Sequence, residues 1–276
     1  MILPFPTKFL IPDLFSHCPF PLRTNRHRAS TTTASKSWLF RGLAGFPFLP
    51  ASDPPSLKRI FKAFHGLKAG KLTAMCYPTA GAPQLRVCCD FMNYLFHLDN
   101  ISDDMDTRGT RNTADIVMET LRQPSGNPGS YTGSSADTRL TKMTREQVII
   151  YVLHLPFIYW LSRSFWTRLS RTASPGARRR FISTFELFFD AVARQAQDRS
   201  TTTVPDLESY IAMRRDTSGC KPCWALIEYA NNLDLPDDVM EHPLIASLGE
   251  AANDLVTWSN VRFYFFLSQF SSLIHM

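Results

Sequence analysis

No stretch of this 276-residue chain is long and apolar enough to cross a bilayer. The best candidate, Val148 to Trp160, ends after thirteen residues and contains His154 and Pro156, against the roughly 20 apolar residues that a membrane helix needs. A secretory leader is not expected either. Residues 1–22 are apolar, but Pro4, Pro6, Pro12, Pro19 and Pro21 interrupt them and no small-residue cleavage site follows. Period-two alternation is nearly missing, which excludes a sheet as the main architecture, and there is no internal repeat. Six cysteines in a chain this long are too few for a disulfide framework. Cys88 and Cys89 lie inside an apolar segment and read as core. Cys220-Lys221-Pro222-Cys223 is a lone CxxC with no second pair and no His partner, so zinc and redox chemistry have little support there. Net charge is only +6 and scattered. The densest basic cluster, Arg178 to Arg180, reads as a surface helix start, which argues against a nucleic-acid footprint. The expectation is a soluble, cytoplasmic protein with reduced thiols, no membrane span and no nucleic-acid partner.

What the chain does have is apolar and aromatic material: 44% hydrophobic residues, 20% charged, and 21 Phe. That suits one globular domain over residues 1–276 with ample core, or a cavity lined by ring faces. The N-terminal residues 1–35 read as a Pro-rich extended lead running into a Ser/Thr tract at 30–35. Residues 42–55 carry too many Pro and Gly for a helix. Helical spacing appears over about 57–72, from Gln84 through residue 106, and over Ala114 to Leu121. A Gly/Ser/Pro loop is expected at 123–136. Further helices are expected at about 138–146, 175–198, 205–214, 220–231 and 240–260. In the 175–198 helix Phe181, Phe185, Phe188, Phe189 and Val192 share one face. The fold class expected is all-α. A Phe stripe at this spacing is more often core than a cofactor box.

One acidic stretch organises the rest. Asp99, Asp103, Asp104 and Asp106 follow the apolar run Phe91 to Phe96 without a break. On a helix Asp99 and Asp103 lie one turn apart on the same side, and two stacked carboxylates repel unless a cation lies between them. Hard oxygen ligands of this kind suit Mg²⁺, which takes one or two protein carboxylates and completes its shell with water and phosphate. The bland alternative is a solvated helix end. A second feature is Met213-Arg214-Arg215-Asp216-Thr217-Ser218-Gly219, where a helix breaks before Pro222. Paired arginines match phosphate oxygens, although a basic helix C-terminus complementing the dipole would also account for them. The third is Glu250 to Asn260, with amide, carboxylate and hydroxyl oxygens at helical spacing, able to hold further Mg²⁺ across a pocket from Asp99. Two such helices with arginines between them make a diphosphate site.

These motifs resemble the class I sesquiterpene synthases of basidiomycete fungi. Phe91 to Asp106 is similar to the family's first metal motif, D(D/E/N)xxD, matched by Asp99, Asn100 and Asp103. Asp206 to Gly219 is similar to its diphosphate-sensing arginine region, and Glu250 to Asn260 to the helix that leads into its second metal motif, ND-x-x-S-x-x-x-E. The resemblance covers most of 10–41, 63–145 and 165–260. It implies a helical bundle around an aromatic pocket, a monomer or homodimer, and ionisation of farnesyl diphosphate with three Mg²⁺, followed by cyclisation of the allylic cation and proton loss. It implies Asp99 as a metal ligand with Asp103 as second ligand or support, and Asn260 opening the second metal motif. Arg214 or Arg215 would sense the diphosphate, with Arg215 favoured because Gly219 lies one turn on. Phe96 and Phe188 would wall the pocket, where rings attract a carbocation by about 1–2 kcal/mol.

The chain departs from the family after Asn260, where Val261-Arg262-Phe263-Tyr264-Phe265-Phe266-Leu267 replaces the pattern and the chain stops at Met276. Asn253-Asp254-x-x-Thr257 imitates the second motif, but Val261 stands where a Glu is required. The late Arg-Tyr pair of the family is missing. Segments 43–60, 147–163 and 261–276 read as foreign to the fold, as translated intron sequence, and this polypeptide is expected to turn over poorly or not at all. Two rivals stand beside the enzyme. One is a catalytically dead isoprenoid-diphosphate-binding pseudoenzyme. The other is a calcium-binding helical protein, since Asp104-x-Asp106-x-Arg108-Gly109-x₅-Asp115 mimics an EF-hand loop. Arg108 at a ligand position and Asp at the twelfth argue against the latter. Sequencing the cDNA is expected to return a transcript without the three segments; a transcript that encodes all three, with no longer form, contradicts the intron reading.

Overall fold

The computed structural model describes residues 18–44, 67–103, 105–123 and 155–274, with side chains as far as Asn260. Among the described residues there is no strand. The helices are α1 (Arg28–Ala44), α2 (Ala69–Cys76), α3 (Ala82–Ser102), α4 (Thr107–Arg122), α5 (Leu155–Ser170), α6 (Pro175–Thr201), α7 (Leu207–Thr217), α8 (Cys220–Asn231), α9 (Asp237–Met240) and α10 (Pro243–Ile274). Local chemistry sets several starts. Ser174 accepts from the Ala177 amide at 3.1 Å and is followed by Pro175 at the head of α6. Asp206 accepts from Ser209 N at 2.8 Å and caps α7. A side-chain oxygen in this position satisfies an amide that the first turn leaves open, worth about 1 kcal/mol.

The central helix is α3, which packs against α1, α2, α5 and α8, while α6 packs against α4, α7 and α8. Phe91 of α3 is fully buried and meets Phe165 of α5 at 5.3 Å and Phe181 and Phe185 of α6 at 5.0 and 5.4 Å between ring centroids. The Phe stripe of α6 is therefore core, in edge and tilted ring contacts that add to plain area burial. Beside it lies a polar seam. The carboxylate of Asp90, with no exposed surface, accepts from Arg86 at 2.9 Å and Arg168 at 2.7 Å, and Arg168 lies over the Trp38 ring at 5.0 Å. Burial raises the Asp90 carboxyl and the two guanidiniums oppose that shift. This seam ties α1, α3 and α5 together.

Three expectations change. The polar Ser/Thr tract at 30–35, into which the extended lead was expected to run, is part of α1, and that helix continues to Ala44, inside the 42–55 stretch expected not to be helical. Thr31 and Thr32 return their hydroxyls to the carbonyls of His27 and Arg28 at 2.8 and 2.6 Å, so these residues satisfy themselves inside a helix. The helix through the acidic stretch is not continuous: α3 ends at Ser102, and Asp106 accepts from Gly109 N at 2.7 Å to start α4. Residues 155–163 begin α5, with Leu155, Phe157, Ile158 and Leu161 in the core. The remainder of 147–163, residues 45–60, the patterns at 57–66 and 138–146 and most of the loop at 123–136 lie outside the described residues, as do the side chains of 261–276. Ile158→Ala is expected to lower unfolding free energy in urea by about 2–5 kcal/mol, the cost of a large-to-small core change; an unchanged midpoint would show that 155–163 contributes nothing to the core.

Candidate metal and diphosphate site

The aromatic packing of α3 has a direct consequence at its far end. With Phe91, Tyr94, Leu95 and Leu98 buried, the last turn emerges from the core carrying Asp99 and Asn100, and Asp103 caps it with its amide on the Asp99 carbonyl at 3.4 Å. Asp99 is open to solvent but recessed against surrounding protein. That crowding, and then the charge of Asp103, push its carboxyl above the ordinary aspartate range, while Arg214 pulls the other way. Neither Asp99 nor Asp103 joins an ion pair among the described residues. A carboxylate whose ionisation is opposed by burial and by a neighbouring carboxylate, with neither acid in a described ion pair, fits a hard divalent ion. Asp104 lies outside the described residues. Arg199 at the end of α6 donates to the carbonyls of Ser102 and Met105 at 3.1 and 3.4 Å, a cation on the carbonyl end of α3. This contact is not legible in residue spacing, because nothing in the pattern of α6 pairs its last turn with that of α3.

Across from this end, α7 and α8 are separated by Ser218 and Gly219 alone. Gly219 has φ 67°, and a Cβ there would come within 3.1 Å of the Leu95 side chain, so both backbone and space require glycine. The break places Arg214 and Arg215 at the end of α7. Their surroundings differ. Arg214 donates to the Asn260 amide oxygen at 3.1 Å and is the one of the pair whose charge acts on Asp99. Arg215 grips Asp254 with two nitrogens at 2.7 Å each and Glu250 at 2.6 Å. Asn253 is buried and donates to the Arg215 carbonyl at 2.9 Å. The carboxylates of Glu250 and Asp254 and the amide nitrogen of Asn253, on the helix whose oxygens the spacing offered as metal ligands opposite Asp99, are thus directed at α7.

Asp99, Arg214 and Asn260 are brought together; Phe96 and Phe188 sit below them. Phe96 is half-buried on α3, three residues before Asp99. Phe188 is buried, stacked on Phe185 at 5.8 Å, and with Leu98, Ile101 and Val192 bounds a small void just under the acidic turn. A larger groove of about 710 Å³ opens between α6, α8 and α10, lined by Ser183, Thr184, Trp224, Ala225, Ala246 and Glu250. Neither Asp99 nor Arg214 lines it, and the Arg180–Glu228 ion pair at 2.7 Å forms part of its wall, so it does not have the chemistry of a cation chamber. The EF-hand mimic is not a loop: from Thr107 to Asp115 the chain is helix, with Asp106 spent on the cap.

Residues 90–260 match the family model described as terpene synthase family 2, C-terminal metal binding. The chain is 56% identical to sesquiterpene synthase 1 of Postia placenta, over 96% of this chain and 67% of that protein. It is 53% identical to sesquiterpene synthase Agr1 of Cyclocybe aegerita, over 97% of this chain and 67% of the other. Among solved structures, hedycaryol synthase in complex with nerolidol superposes with a TM-score of 0.69 at 18% identity, covering 94% of this chain and 74% of that one. The chain thus spans about two thirds of the length of these two curated relatives.

Opposite pKa shifts at the two carboxylates give a test. Hydrogen bonds from Arg215, then its charge, hold Asp254 below the ordinary aspartate range. A depressed folded pKa stabilises the docked α10 above the unfolded pKa, and that contribution is lost as pH falls through the folded value. Asp99, raised, has the reverse sign. Carbon-detected carboxyl titration is expected to find Asp254 low and Asp99 high, with Arg215→Gln returning Asp254 upward. Coincident titrations would contradict the geometry.

Proposed function

The chain belongs to the terpene synthase family, and on that premise we propose that it is a class I sesquiterpene synthase that ionises farnesyl diphosphate, cyclises the resulting allylic cation and releases diphosphate. The observation that carries the reading is the convergence of Asp99, Arg214 and Asn260 at one end of an aromatic bundle. The family carries divalent-metal dependence; that the ion is Mg²⁺, three to a site, belongs to the proposal. Bound there, the metal supplies positive charge to the diphosphate oxygens as the carbon–oxygen bond breaks.

This chain's residues divide the work. Asp99 is the proposed metal-holding carboxylate, with Asp103 as second ligand or support, and Asn260 offers an amide oxygen from the facing helix. Arg214 is the proposed diphosphate contact, since its only described side-chain partners are neutral: Thr217 at 3.3 Å and Asn260 at 3.1 Å. A guanidinium held by neutral oxygens exchanges them for phosphate oxygens at less cost than one already paired with carboxylates. Phe96 and Phe188 are the proposed ring faces for the cation, and the apolar surroundings of α3 and α6 keep water from it. Substrate, monomeric or dimeric state and a cytoplasmic location rest on this proposal; among the described residues no helix is long and apolar enough to cross a membrane.

Incubation with farnesyl diphosphate and Mg²⁺ is expected to release pyrophosphate and a volatile terpene, both abolished by EDTA, and Asp99→Asn to lower turnover by about 10²-fold or more, the scale of losing one preorganised electrostatic contact. Metal-dependent pyrophosphate binding without terpene would identify the diphosphate-binding remnant instead. Absence of both binding and turnover would overturn the reading.

A further inference from the structure

The polar face that α10 turns toward α7 is more extensive than a metal site needs. Glu250, Asn253, Asp254, Thr257 and Asn260 recur at three- and four-residue spacing and so share one side of the helix. Four hydrogen bonds run from this face to the last turn of α7: Asp254 with two from Arg215, Asn253 to the Arg215 carbonyl, and Asn260 from Arg214. Glu250 adds a fifth through Arg215 at 2.6 Å. Beside them Tyr210 of α7 and Trp258 of α10 make a tilted ring contact at 6.4 Å. Leu244, Leu248 and Leu255 are 62%, 59% and 68% exposed. Asn253 and Thr257 are buried in the seam where most α10 residues before them are exposed.

We propose that Asp254 is a positioning residue for the diphosphate site: by clamping Arg215 it docks α10 on α7, keeps Arg215 on the α10 side, and thereby sets Arg214 and Asn260 opposite Asp99. The inference rests on the diphosphate reading above. An isolated exposed ion pair would contribute almost nothing, but this one is bidentate and joined at both ends to neutral hydrogen bonds between the same two helices. Adjacent residues on a helix point about 100° apart. Fixing the first guanidinium on α10 therefore fixes the direction in which its neighbour leaves the helix. Asp254 acts through that geometry and touches no diphosphate oxygen.

The test uses the whole chain, inorganic pyrophosphate with Mg²⁺ as the probe, and calorimetric binding together with amide exchange in α7 and α10. Asp254→Asn is expected to weaken pyrophosphate binding about tenfold and to speed exchange in both helices, while circular dichroism stays unchanged. Asp254→Glu, which keeps the charge, is expected to retain binding. The exchanged pair, Arg215→Asp with Asp254→Arg, is expected to recover most of the binding that Arg215→Asp alone removes, together with slow exchange. If the exchanged pair binds as weakly as Arg215→Asp alone, Arg215 itself takes the diphosphate and the proposal is overturned. Unaltered exchange in Asp254→Asn overturns it as well. Should the parent chain bind no pyrophosphate, the diphosphate reading fails, and the exchange data still decide whether the clamp holds α10.

Discussion

Uncompensated negative charge at the end of α3 is the constraint to which the rest of the site responds. The helix is held by ring packing around Phe91 and by the Asp90 seam, so its last turn has little freedom to move its carboxylates apart. Asp99 therefore stands crowded, next to Asp103, with its pKa pushed up. Each further feature nearby brings positive potential to that place: Arg199 on the carbonyls of the last turn, and Arg214 from the broken helix opposite. A core built to be rigid thus stores an electrostatic demand at its edge, and a divalent ion is the species that meets it best.

The opposing wall works by the contrary rule. Where α3 is fixed by apolar burial, α10 is attached to α7 through carboxylates and amides and leaves leucines exposed. Directional bonds specify register more sharply than apolar contact, because a slip of one residue along α10 would strip Arg215 of both carboxylates at once. Gly219 completes the arrangement by ending α7 one turn after the arginines in a space that the Leu95 side chain leaves to hydrogen alone.

Much of this was legible in residue spacing. The α6 stripe, the α7 break at Gly219 and the α8 span followed from period, caps and glycine, and the acidic turn from four carboxylates in eight residues. The N-terminal helix escaped because its hydroxyl-rich sequence carries an extended or turn preference that the contacts of Ser35 with Asn93 and of the threonines with their own carbonyls override. The break after Ser102 was hidden by the same acids that announced the site, since Asp106 reads equally as ligand or as cap. The separate tasks of Arg214 and Arg215 were beyond spacing altogether. Adjacent identical side chains differ only in what lies across the gap, and that is decided by how α10 docks.

The claim on which the account rests is that two unlike walls, one fixed by aromatic burial and one by the Arg215 clamp, face each other across a metal–diphosphate site. Crystals grown with Mn²⁺ and inorganic pyrophosphate, measured for manganese anomalous scattering, address it directly. The account predicts manganese on the Asp99 carboxylate and pyrophosphate oxygens on Arg214, with Arg215 still bound to Asp254. Manganese away from Asp99, or Arg215 transferred from Asp254 to the pyrophosphate, would contradict it.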